Sequence, residues 1–185
     1  MSPRSLVTAS VIAFTAAVGW LGRPESAVAA DPLAEYDVVY SVLLSPRCRN
    51  CHPAGNAPLQ TDEGIPHAQN ISRRSESNGL SCSTCHRETN GRLPHTPPGA
   101  PHWDLPPIAT PMVFEGRTPR QLCEQLKDPV QTNGKDLEAL AEHIAADPLV
   151  AWGWSPGPGR TLPPASHERT TEAIRAWVAG GAPCP

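Results

Sequence analysis

The sequence is short of the residues that usually fill a core: aromatics make up 5% of its 185 residues, and apolar residues 39%. It has no basic excess. The formal charge is −3 and Arg73-Arg74 is the densest cationic spot, which argues against a nucleic-acid-binding surface. No persuasive strand pattern is present, and no apolar run beyond the first 21 residues is long enough to cross a membrane. What the chain does have is 23 prolines, 14 glycines and 6 cysteines. That proline and glycine content stays short of the low-complexity range, so the chain reads as ordered in part and rich in loops. Something other than side chains is expected to fill much of its interior.

Residues 1–30 form the three-part pattern of a secretory leader. Residues 1–5 carry one positive charge, residues 6–21 are an uncharged, mostly apolar stretch, and Ser26-Ala-Val-Ala-Ala30 supplies the small residues of a cleavage site. The apolar stretch, 16 residues long, is shorter than the ~20 a bilayer span needs. The expectation is a leader cleaved after Ala29 or Ala30 and one domain over 31–185, exported to the periplasm with a formal charge of −4. An oxidising compartment requires its thiols to be paired or otherwise consumed.

Four of the six cysteines fall in two identical frames, Cys48-Arg-Asn-Cys51-His52 and Cys82-Ser-Thr-Cys85-His86. Both are C-x-x-C-H, the attachment sequence for haem c. The spacing lets two thiols form thioethers to the haem vinyl groups while the next residue turns its imidazole onto the iron as proximal ligand. Other chemistries fit less well. A zinc site would normally have about 15–20 residues between its cysteine pairs. Here 30 intervene, and both trailing histidines would be coincidental. A thioredoxin-like redox pair wants a βαβ context that is missing, and a disulfide closed within four residues is strained. Two covalent haems are expected. Cys123 and Cys184 remain, and in an exported chain they most simply form a disulfide joining a mid-chain helix to the C-terminal end. A thiolate iron ligand or redox thiol would need one of them free.

Coarse periodicity predicts a mostly helical fold with long loops. Apolar residues at 36, 39, 40, 43 and 44 mark a helix over 34–44, ended by Ser45-Pro46. Thr118-Pro119 opens a second helix, residues 136–146 a third, and Ser166 caps a last helix with a glycine, Gly180, just past its end. Residues 56–81 read as loop around His67, residues 152–160 as loop, and 92–112, with seven prolines, as irregular chain. The fold class is thus a small cytochrome c-like helical shell wrapped around two haems. Each haem brings several hundred Å² of apolar surface at ~25 cal/mol/Å², so the chain without haem is expected to fold poorly.

The helix running into C-x-x-C-H and the ending Ala176-Trp-Val-Ala-Gly-Gly-Ala-Pro183 resemble small bacterial c-type cytochromes of the class I-like helical kind. More closely, most of residues 31–185 resembles a family of exported dihaem proteins. The likeness lies in Pro66-His-Ala-Gln-Asn70, Pro97-Pro-Gly-Ala100, Asp147-Pro-Leu-Val-Ala-Trp-Gly-Trp154 and Gly181-Ala-Pro-Cys-Pro185. Members are labelled the cytochrome subunit of isoquinoline 1-oxidoreductase. The resemblance implies a molybdenum hydroxylase partner that passes substrate electrons to the cytochrome. With no molybdopterin-subunit feature and no four-cysteine cluster in its second half, this chain would be the electron acceptor rather than the catalytic subunit.

Each iron has one ligand assigned, His52 or His86. Candidates for the distal positions are His67, in a loop between the two motifs, and His143, beside the apolar stripe of a helix. His95, His167 and Met112 are weaker candidates, and His102 weaker still. Sequence alone does not pair them with irons. The leading functional expectation is a periplasmic electron-transfer dihaem cytochrome with redox protein partners. The alternative is a small haem enzyme with one five-coordinate iron that reacts with peroxide or a gas.

Overall fold

Asp31 starts the first helix. Its carboxylate accepts from the Leu33 amide at 3.0 Å, and Pro32 fills the first turn, where its missing N–H costs nothing. In the computed structural model, which describes residues 30–185, this helix is α1 (Pro32–Leu43). The leader expected over 1–30 lies, save Ala30, outside the described residues. A second short helix, α2 (Pro46–Arg49), follows at once and carries Cys48.

Four further α-helices follow. Thr118 and Gln121 form a reciprocal capping box at the start of α3 (Pro119–Lys127). Asp136 accepts from the Ala139 amide at 2.8 Å to start α4 (Leu137–Ala146), and Asp147 caps the single turn of α5 (Pro148–Ala151). Ser166 caps α6 (His167–Ala179). The glycine expected past the end of α6 is Gly181 rather than Gly180. Gly181 has φ of 85° and Gly180 is still near helical, and the Gly181 and Ala182 amides turn back onto the Val178 and Trp177 carbonyls in a Schellman closure.

α1 packs along α6, burying Tyr36, Val39 and Leu43 with Ala173, Ile174 and Trp177; α3 and α4 add Leu122, Leu126, Leu140 and Ile144. Tyr36 and Trp177 meet at 5.1 Å, and their polar tips donate to the Pro119 and Pro183 carbonyls. Each such side chain contributes about 1.5–3 kcal/mol by burial. Cys123 and Cys184 are joined in a disulfide that ties α3 to the C-terminal end.

The expected shortage of bulky core residues is therefore local. The four helices α1, α3, α4 and α6 have an ordinary side-chain core, whereas Ala100 is the one buried hydrophobic residue between positions 54 and 113. Ile65, Leu80, Leu93 and Ile108, all in that stretch, are exposed. The stretch is not wholly irregular: β1 (Leu59–Gln60) and β2 (Ile65–Pro66) pair antiparallel in a small hairpin that the sequence reading took as loop. Residues 152–154, also read as loop, form a turn of 3₁₀ helix. No helix among the described residues is long and apolar enough to cross a membrane.

Candidate functional site

The two C-x-x-C-H motifs sit on different local structures and are finished in the same way. The first winds from α2 through Cys51 to His52, with the His52 amide bonded back to the Cys48 and Arg49 carbonyls. The second is a 3₁₀ turn (Cys82–Thr84) capped by Ser81, with the His86 amide bonded back to the Cys82 carbonyl. In both, the chain turns back on itself within the motif, so that the histidine amide bonds to the carbonyl of the first cysteine.

His52 Nδ1 donates to the Met112 carbonyl at 2.7 Å, and His86 Nδ1 to the Pro98 carbonyl at 2.8 Å. A carbonyl only accepts, so Nδ1 carries the proton in each ring and Nε2 keeps its lone pair free. Each imidazole also rests on an aromatic face: Phe114 on His52 at 3.9 Å and 14°, Trp103 on His86 at 4.5 Å and 4°. Burial pushes His52 down to about 4, more than the Met112 hydrogen bond raises it, and lowers His86 in the same way. Both rings are neutral at neutral pH, the form that binds metal.

None of the four motif thiols is in a disulfide, although Cys123 and Cys184 are. Burial raises Cys48 to about 12 and Cys51 to about 11, the reverse of the depressed thiol of a thioredoxin-like redox pair. Arg73, which acts electrostatically on Cys51, lines one cavity with Cys82, so the two motifs lie near each other. Among the described residues no group of three or more His, Cys, Asp or Glu is arranged to hold a bare metal ion. A haem iron asks for two axial donors alone. Paired thiols beside an imidazole with a fixed tautomer and a free Nε2 are the donor set that covalent haem attachment uses, and it occurs twice.

The distal candidates are placed unequally. His67 follows the hairpin, its Nδ1 donates to the Ala68 carbonyl at 2.8 Å, and its ring lies 6.1 Å from that of His86. His143, on α4, faces Asp147 through Nδ1 at 3.2 Å, and its charge is felt at His52. His167 is committed differently: Nε2 donates to the Ile144 carbonyl at 2.6 Å and the ring stacks on Trp154. Met112 gives its carbonyl to His52 and packs its side chain against the helical core. His95 and His102 are exposed, both at positive φ.

Several residues that sequence reasoning passed over hold these parts together. Trp103 meets Trp152 edge-on at 4.9 Å, and Trp152 lies under the guanidinium of Arg47 beside the first motif. Arg47 is buried and paired with Asp62 at the hairpin tip. Arg73, also buried, donates to the carbonyls of Gly55, Pro106 and Pro111 and so clamps the proline-rich chain behind the first motif. Asn90 takes the Trp152 indole N–H at 2.9 Å and the Gly99 amide at 3.1 Å. The tryptophans had a signal in their share of the aromatics, 5 Trp against 2 Tyr and 2 Phe, but no periodicity showed what they would meet.

Gly99 permits the turn that aims the Pro98 carbonyl at His86. A Cβ there would run into the carbonyl oxygens of Arg87 and Thr89. Gly99→Ala is expected to cost about 1–3 kcal/mol, read as a lower urea midpoint than the wild type, because backbone and not a flexible side chain must give way.

The site thus defines a class: a small, mostly helical chain with two C-x-x-C-H motifs, each carrying an oriented histidine. Beyond the class, comparison gives no relative to name, for the chain matches no family model, no curated protein and no solved structure.

Proposed function

We propose that this chain is a dihaem c-type cytochrome that carries electrons between redox proteins in the periplasm, a member of the exported dihaem family it resembles. The observation that carries the reading is the identical finish of the two motifs: each histidine donates Nδ1–H to a backbone carbonyl of the proline-rich chain, lies against an aromatic ring, and keeps Nε2 free. Cys48 and Cys51 would anchor one haem with His52 as proximal ligand, and Cys82 and Cys85 the other with His86. Bound there, the haems would supply one-electron chemistry at iron.

The chain's own residues do the rest. The Met112 and Pro98 carbonyls raise the donor strength of the two imidazoles and stop them rotating. The apolar side chains left exposed between residues 54 and 113, Ile65, Leu80, Leu93 and Ile108, are ones that a large apolar group would cover. A formal charge of −4 over residues 31–185 favours a partner with a basic face. A dehydrogenase, on the family resemblance a molybdenum hydroxylase, would be the electron donor.

The test is the optical and EPR spectrum of the full chain, exported by a bacterium that attaches haem c. The expected result is two low-spin haems, each reversibly reduced by one electron, with no turnover of peroxide. A high-spin iron in the wild-type protein that consumes peroxide would make it a haem enzyme instead.

A further inference from the structure

The His67–His86 pair is unlike every other ring pair that includes a histidine. His52–Phe114, His86–Trp103 and Trp154–His167 have centroids 3.9, 4.5 and 4.4 Å apart and lie nearly parallel, as stacked rings do. His67 and His86 stand 6.1 Å apart at 55°, too far and too tilted to stack. Two imidazoles bound through Nε2 to opposite sides of one iron have centroids about 6 Å apart, from a ~2 Å metal–nitrogen bond and roughly 1 Å from nitrogen to ring centre, counted twice. Coordination leaves each ring free to turn about its own bond, so the tilt is permitted.

The nitrogens agree with the spacing. His67 Nδ1 donates to the Ala68 carbonyl and His86 Nδ1 to the Pro98 carbonyl, so Nε2 is the free donor of both rings. The backbone around His67 is also held in place. Its amide donates to the Pro58 carbonyl at 2.9 Å, at the foot of the hairpin, and Gln69 and Asn70 follow at φ of 59° and 55°. Two successive non-glycine residues in the left-handed region persist where the surroundings fix them. The hairpin itself is anchored at and beside the first motif: Asn50 donates to the Thr61 carbonyl at 2.7 Å, and Arg47 pairs with Asp62.

We infer that His67 is the distal ligand of the haem held by Cys82, Cys85 and His86, delivered to it by a hairpin anchored on the other haem's motif. The inference rests on the dihaem reading. It makes the second haem bis-histidine, hence of lower potential than a His/Met haem, and makes the two sites depend on each other mechanically.

The experiment uses the full exported chain with both haems, their number first counted by mass. In the wild type both haems are low-spin. In His67→Ala one of the two turns high-spin, half of the total signal, and added imidazole returns it to low-spin. His67→Met keeps six ligands and raises the potential of one haem while the other stays put, which guards against misfolding of the alanine variant. The affected haem is identified by repeating His67→Ala in a chain with Cys82 and Cys85 replaced by Ser, which keeps the first haem alone and should leave it low-spin. Two low-spin haems in His67→Ala, or a change confined to the first haem, would overturn the assignment and leave the dihaem reading intact. A wild-type chain without covalent haem would overturn the dihaem reading itself.

Discussion

Replacing both Cys82 and Cys85 with Ser is expected to lower the haem count from two to one and to release residues 67–107 while leaving the helical core folded. The second motif stands in chain that buries almost no apolar side chain of its own, whereas α1, α3, α4 and α6 share a continuous core around Tyr36 and Trp177. A haem there would supply several hundred Å² of apolar contact at ~25 cal/mol/Å², more than the local side chains do. Limited proteolysis should therefore cut between Arg74 and Arg92 at least tenfold faster, with the far-UV helical signal kept, since local opening without its apolar cover has little to oppose it. The matching change at Cys48 and Cys51 is expected to act differently. Cys48 packs against the helical core and His52 on buried Phe114, so that variant should lose global stability as well. Equal effects from the two pairs would contradict this division.

Removing the Cys123–Cys184 disulfide is expected to cost about 3–4 kcal/mol. The link spans 61 residues, and the chain-entropy account gives about 4 kcal/mol for a loop of that length. Part of the same constraint is already supplied by Lys127 donating to the Ala182 carbonyl and Trp177 to the Pro183 carbonyl, which draws the figure slightly down. Urea unfolding of the Cys123→Ala/Cys184→Ala double variant against the wild type measures it, with the midpoint lower and the slope somewhat steeper, because the unlinked denatured chain exposes more surface. A loss below about 1 kcal/mol would mean that these hydrogen bonds and the Schellman turn hold the C-terminal end by themselves.

The helical frame was legible because its signals are local and chemical. Thr118-Pro119 with Gln121 is a capping box, Asp136 and Ser166 are caps, and the apolar stripe of α1 needs no partner to be recognised. Pairing Cys123 with Cys184 followed from counting. The hairpin was missed because strands of two residues offer no alternation to read, and its turn is tied by Asn50, inside the first C-x-x-C-H motif, and by Arg47, just before it. Trp103, Phe114 and Asn90 were missed for a related reason. They lie in or beside proline-rich chain, where position is set by contacts far along the sequence. His67 was legible as a candidate and not as a partner of His86, since a loop has no period that fixes where a ring will stand. Two of the short stretches quoted for the family resemblance lie beside the second motif: Pro66–Asn70 carries His67, whose ring is 6.1 Å from that of His86, and Pro97–Ala100 holds the carbonyl that accepts from His86.

The most direct test of the central claim is the intact mass of the exported full chain after reduction and denaturation. The account predicts a covalent gain of two haems, retained in denaturant and lost one at a time when either C-x-x-C pair is changed to Ser. An unmodified mass, with four titratable thiols at Cys48, Cys51, Cys82 and Cys85, would contradict it.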